Sequence, residues 1–115
     1  MARVLVTEKI AQSGLDLLAH AGHTVDVQEG LSPEQLVGAI EGAQALIIRS
    51  STQVTPEVLA AGTSLQVVGR AGVGLDNVDV AAATERGVMV VNAPTSNILS
   101  VAEQAMALLL SLIHI

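Results

Sequence analysis

The segment at residues 68–79, VGRAGVGLDNVD, sets three glycines around Arg70, directly after an apolar run. Glycines let backbone N–H groups approach a ligand closely, and such groups beside a guanidinium can bind an anion. A dinucleotide-binding loop and a plain tight turn are the alternatives. The dinucleotide fingerprint requires a glycine where Asn77 stands, and no acidic residue ends the next apolar run. The segment therefore favours an anion-binding loop over a nucleotide loop.

Basic residues are scarce, so each position is informative. The chain of 115 residues has 5 Lys and Arg against 11 Asp and Glu, a formal net charge of −6. Arg49 and Arg70 each end an apolar run, although either one alone could be an ordinary solvated arginine. This charge balance does not favour nucleic acid or an anionic membrane surface, and the absence of Phe, Tyr and Trp excludes base stacking. We expect a small-molecule partner, with neither nucleic acid nor membrane.

Other reactive side chains are few. There is no cysteine, and His20, His23 and His114 lie far apart, without metal-ligand spacing. We therefore expect no metal site and no nucleophile within the chain, which leaves binding without catalysis. The amino terminus lacks a basic and apolar leader, so the expected location is cytoplasmic.

The elements that must position these residues alternate between two patterns. Five short, β-branched runs predict strands at residues 3–8, 23–28, 45–50, 65–70 and 88–92. Helical spacing lies between them, and several runs are apolar on both faces, as in a covered parallel sheet. The predicted fold is α/β, a flavodoxin-like open parallel sheet with helices on both faces.

Helix boundaries are marked by capping residues. Ser32 with Gln35 forms a capping-box pattern, and Thr55 and Asp79 are candidate N-caps. Glycines are the expected stops, at Gly22, Gly62 and Gly87. Arg49, Ser50, the glycine loop and the segment NAPTSN at 92–97 all follow strands. We expect them to meet at the carboxyl edge of the sheet, where ligands bind in such folds.

Four motifs, IIRS, GRAGVGLDNVD, NAPTSN and SVAE, occur at spacings that resemble the D-isomer-specific 2-hydroxyacid dehydrogenases, and in particular their phosphoglycerate-oxidising members. The resemblance implies NAD as cofactor, bound mainly by a separate domain that is absent here. It implies that residues 1–97 are the amino-terminal segment of a substrate-binding domain and 98–109 an inter-domain helix. Residues 110–115, LSLIHI, match a translated sequencing adapter and are expected to be a non-native tail.

The resemblance also implies roles for individual residues. Arg49 and Ser50 would bind the substrate phosphate, and Arg70 would add positive charge nearby. The backbone amides of Val73 and Gly74 would bind the substrate carboxylate.

Two further roles follow from the same resemblance. Val73 would also border the nicotinamide, and Asn97 would hydrogen-bond and orient the substrate. The family's catalytic arginine, glutamate and histidine lie beyond this region. The expected function is thus that of an inactive piece of an NAD-dependent phosphoglycerate dehydrogenase of L-serine biosynthesis, whose parent is a homo-oligomer. The alternatives are a dehydrogenase of lactate, glyoxylate or hydroxypyruvate, and a stand-alone small-anion binding module.

Overall fold

Five parallel strands form one open sheet in the order β2-β1-β3-β4-β5. The computed structural model describes residues 3–9, 12–20, 22–71 and 76–93. The strands are β1 Arg3–Val6, β2 Thr24–Val27, β3 Ala45–Ile48, β4 Val67–Ala71 and β5 Met89–Ala93. This order is that of flavodoxin-like, doubly wound sheets, and it confirms the predicted fold class.

The strands are connected by helices, namely α1 Gln12–His20, α2 Pro33–Ala39, α3 Pro56–Ala61 and α4 Val80–Glu85. The capping predictions are confirmed. The Ser32 hydroxyl accepts the backbone N–H of Gln35, whose side chain accepts the N–H of Ser32 in return. Thr55 and Asp79 cap α3 and α4 with one hydrogen bond each, in which the side-chain oxygen accepts the backbone N–H of Val58 and of Ala82, respectively. None of the helices in the described ranges is long and apolar enough to cross a bilayer.

The hydrophobic core lies between the sheet and helices α2, α3 and α4. Alternate strand residues face these helices and pack with them into one buried cluster, which includes Leu5, Leu46, Ile48, Val68, Leu36, Val58 and Ala83. The intervening residues Val4, Val6, Ile47 and Val67 are also fully buried. Because β1 and β2 step in the opposite direction along the sheet from the later strands, a right-handed crossover places α1 on the other face. Burial on both faces explains why the strands read as continuous apolar runs.

The three predicted glycine stops work in two different ways. Gly22 and Gly87 have φ of 88° and 73°, the left-handed conformation that favours glycine. Gly62 ends α3 with an ordinary φ of −83°. A Cβ on Gly62 would lie 3.2 Å from both Ile40 Cγ1 and Leu65 Cβ, so close packing, not backbone conformation, disfavours a side chain there.

Three strands end earlier than predicted. β1 ends at Val6, β2 at Val27 and β3 at Ile48, whereas the predicted runs extended to residues 8, 28 and 50. The residues beyond each strand end make hydrogen bonds outside the regular ladder, because their polar groups hold neighbouring loops. Predicted helix 98–109 lies outside the described residues.

Candidate functional site

The carboxyl ends of β1, β3 and β4 lie side by side. Val6 is in register with Ile47, and Ile48 with Arg70, so the segments that follow these strands are neighbours. A cleft of about 410 Å³ opens at the ends of β1 and β3 and at the start of α2. Its lining includes Glu8, Lys9, Glu29, Leu36, Arg49 and Thr52. The cleft thus lies where the strand order reverses, the usual ligand position of this fold class.

Glu8 organises the loop that follows β3. Its Oε2 accepts the backbone N–H groups of Arg49 at 2.5 Å and Thr52 at 3.1 Å, and its Oε1 accepts that of Ser51 at 3.0 Å. Partial burial raises the pKa of this carboxyl, but the hydrogen bonds from the loop outweigh burial and hold the pKa below its ordinary value. Glu8 is therefore ionised at neutral pH and fixes the backbone of the loop.

A pair of hydroxyls adds a second link between the same two strand ends. Thr7 Oγ1 and Thr52 Oγ1 are 2.8 Å apart, and Thr7 is only 3% exposed. The backbone N–H of Thr7 also donates to Ile47 at 3.3 Å. The β1 end and the β3 loop are consequently joined by side-chain and backbone contacts together.

Asn77 joins the β3 loop to β4. Its Oδ1 accepts from Arg70 Nε at 2.7 Å, and its Nδ2 donates to the carbonyl oxygens of Arg49 at 2.7 Å and Thr52 at 2.6 Å. The residue is 6% exposed. The Asn77 carbonyl accepts the N–H of Val54 at 2.8 Å, which anchors its backbone as well.

The structure places three of the predicted site residues. Arg49 and Ser50 are exposed directly after β3, and Arg49 Nη1 donates to the Lys9 carbonyl at 3.3 Å. Arg70 is half-buried in β4. Through Asn77, the Arg70 side chain and the Arg49 backbone belong to one hydrogen-bonded unit. The other predicted residues lie outside the described residues, namely Val73, Gly74 and Asn97.

Sequence reasoning missed the residues that hold this unit together. The sequence patterns predict no role for Glu8, and Asn77 enters the prediction only as the residue that breaks a glycine fingerprint. The available signal was position. Glu8 follows the first strand, and Asn77 follows a glycine-rich loop. At both positions, the N–H and C=O groups of nearby loops need hydrogen-bond partners.

Comparison with known proteins identifies the family. The sequence model of the family described as D-isomer specific 2-hydroxyacid dehydrogenase, catalytic domain, matches residues 4–107. The D-3-phosphoglycerate dehydrogenase of Mycobacterium leprae is 56% identical over 94% of this chain and 20% of its own length. That of Synechocystis is 44% identical over 97% of this chain and 20% of its own length. The chain therefore spans about a fifth of the length of these curated relatives.

A solved structure gives the same result. The crystal structure of NAD+-bound 3-phosphoglycerate dehydrogenase from Entamoeba histolytica superposes with a TM-score of 0.74 and 28% identity, over 81% of this chain and 33% of that one. The shared fold, the family match over nearly all of the sequence and the close relatives place this chain in the family of D-isomer-specific 2-hydroxyacid dehydrogenases.

Proposed function

We propose that this chain is part of a D-3-phosphoglycerate dehydrogenase, in which it supplies the phosphate-binding side of the substrate site. The enzyme would oxidise 3-phosphoglycerate to 3-phosphohydroxypyruvate, the first step of L-serine biosynthesis. The relatives named above support the choice of substrate. The observation that carries the proposal is the hydrogen-bonded unit in which Asn77 connects the Arg70 side chain to the backbone of Arg49.

The two arginines suit a phosphorylated acid. A guanidinium is always charged and offers a planar fork of donors that matches two phosphate oxygens. The exposed Arg49 has no ion-pair partner among residues 3–9, 12–20, 22–71 and 76–93. Arg49 and Ser50 are proposed to bind the phosphate, and Arg70 to contribute charge beside it.

The remaining roles concern the acid end of the substrate. We assign its carboxylate to the backbone amides of Val73 and Gly74, and its orientation to Asn97. Val73 is also proposed to border the nicotinamide ring. These assignments follow the family resemblance.

The described residues do not fit the main NAD site. A dinucleotide pyrophosphate is held by a glycine-rich turn that leads from a strand into a helix N-terminus. Here β1 leads to α1 through Glu8 and Lys9, and the Glu8 carboxylate accepts the nearby loop amides that an anionic group would need. We therefore propose that NAD is bound mainly by another domain of the whole enzyme.

This division sets the expected properties of the chain. We propose that residues 1–97 belong to the substrate-binding domain, and that residues 98–109 connect it to the rest of the enzyme. The isolated chain should produce no NADH from 3-phosphoglycerate. The whole enzyme is proposed to be a cytoplasmic homo-oligomer. Size-exclusion chromatography of the full-length protein would test its oligomeric state.

The proposed function is tested by measuring the affinity of the 115-residue chain for two acids by titration calorimetry. The expected result is that 3-phosphoglycerate binds at least tenfold more tightly than D-glycerate, since only the former presents a phosphate to the arginines. Equal affinity for the two acids would overturn the phosphate role and favour a dehydrogenase of an unphosphorylated hydroxy acid.

A further inference from the structure

We infer that Asn77 is a positioning residue that gives this site its selectivity for phosphorylated over unphosphorylated acids. It would do so by holding the Arg70 guanidinium and the loop that bears Arg49 in one fixed arrangement. The inference rests on the proposed function, because selectivity has meaning only if the arginines bind a phosphate.

The chemistry of the Asn77 side chain matches its surroundings group by group. The amide oxygen accepts from Arg70 Nε, and the amide nitrogen, which has two hydrogens, donates to two carbonyl oxygens at 2.6 and 2.7 Å. An aspartate would set a charged oxygen against those two carbonyls, whereas an aliphatic residue would leave all three groups without this partner. Because the residue is 6% exposed, water does not readily replace the lost contacts.

Each contact controls an orientation that phosphate binding needs. A hydrogen bond to Nε fixes the plane of the Arg70 guanidinium, and bidentate phosphate binding depends on that plane. The carbonyl oxygen of Arg49 belongs to the peptide unit that connects Arg49 to Ser50. Its hydrogen bond therefore fixes how both of these residues leave β3. One side chain thus sets the relative placement of three proposed phosphate ligands.

The backbone around Asn77 is held separately. Its carbonyl accepts from Val54, the N–H of Asp79 donates to the Val54 carbonyl at 3.0 Å, and Val54 forms a parallel bridge with Val78. Replacing the side chain therefore removes the link between the two arginines while these backbone contacts remain. The effect of the substitution on selectivity can therefore be distinguished from a loss of the backbone structure around Asn77.

The test compares Asn77→Ala and Asn77→Asp with Val88→Ala, a substitution in the buried core just before β5, which we also expect to lower the melting temperature. Dissociation constants for 3-phosphoglycerate and D-glycerate are measured on the 115-residue chain. We expect both Asn77 variants to bind 3-phosphoglycerate about tenfold more weakly and D-glycerate within twofold of the parent. Val88→Ala should leave both constants unchanged. Equal weakening of both acids, or unchanged selectivity, would overturn the inference.

A spectroscopic readout on the unsubstituted chain keeps the test independent of variant folding. The Nε–H resonance of Arg70 should exchange slowly with water, and should become fast in Asn77→Ala but remain slow in Asn77→Asp, which retains the acceptor. Exchange at the rate of a free guanidinium in the unsubstituted chain would contradict the inference. If instead this resonance is slow but the unsubstituted chain does not prefer 3-phosphoglycerate, the proposed function fails, and the selectivity role of Asn77 fails with it.

Discussion

The carboxylate of Glu8, at the end of β1, accepts the backbone N–H of Arg49, which follows β3, at 2.5 Å. Glu8 thus fixes the main chain of Arg49, the basic residue that we propose binds phosphate. The acid contributes through the backbone, so its negative charge is partly compensated by the N–H groups of Arg49, Ser51 and Thr52.

Removing this carboxylate should loosen the β3 loop. Glu8→Gln keeps one acceptor oxygen but sets an N–H group against a backbone N–H, so we expect a loss of about 1 kcal/mol in the free energy of unfolding. Urea denaturation measures this loss. Glu29→Gln is the matched control, because Glu29 lines the same cleft and makes no hydrogen bond with other described residues. If both variants lose the same stability, the loop does not depend on Glu8.

The contribution of Glu8 should also depend on pH. Its pKa is lower in the folded chain than the ordinary 4.5, so its stabilisation is fully present above that value and is lost as pH falls through the lowered pKa. In an NMR titration, the amide resonances of Arg49, Ser51 and Thr52 should move together, with a midpoint below 4.5. A midpoint above 4.5 would show that burial outweighs the hydrogen bonds.

The hydroxyl pair of Thr7 and Thr52 should show energetic coupling. Thr52→Val leaves the buried Thr7 hydroxyl without this partner, so it should lower the free energy of unfolding more than Thr7→Val does. The loss in the double variant should be smaller than the sum of the two single losses. We expect a coupling energy of about 1 kcal/mol from a double-mutant cycle measured by thermal unfolding. Strict additivity would mean that each hydroxyl finds another partner.

Two glycine stops should respond differently to the same substitutions. Gly87→Ala should cost about 1 kcal/mol because of its positive φ, and Gly87→Asn should cost less, since asparagine tolerates that conformation. Gly62→Ala should also destabilise the chain, by crowding Ile40 and Leu65, but Gly62→Asn should be worse. Melting temperatures of the four variants test this. A rescue by asparagine at Gly62 would contradict the packing explanation.

Replacing the Arg49 guanidinium with an ammonium group should weaken phosphate binding. Arg49→Lys retains the charge but loses bidentate geometry, so we expect 3-phosphoglycerate to bind about tenfold more weakly, or about 1.4 kcal/mol. Titration calorimetry measures the change, and Arg86→Lys, an exposed position after α4, serves as the control. Unchanged affinity in Arg49→Lys would remove Arg49 from the phosphate site.

The fold was predictable because its signals are local. Apolar runs, the caps at Ser32, Thr55 and Asp79, and the left-handed stop at Gly87 each depend on a few neighbouring residues. The arrangement of the site was only partly predictable. Strand order brings Arg49 and Arg70 to one edge, but the partners of Glu8 and Asn77 depend on distances between loops that no local pattern records. The same limit explains why β1 and β3 were predicted too long.

Most of the contacts that organise the site join parts of the chain that are far apart in sequence, and the exception is the hydrogen bond between Arg70 and Asn77, which are 7 residues apart. Glu8 reaches partners 41 to 44 residues away, Thr7 reaches one 45 residues away, and Asn77 reaches two at 25 and 28. Such contacts form only after a large loop has closed, so the site should be completed late in folding. A ligand that binds there would stabilise only chains with β1, β3 and β4 already assembled. Phosphoglycerate affinity would then report on completed folding as well as on substrate recognition.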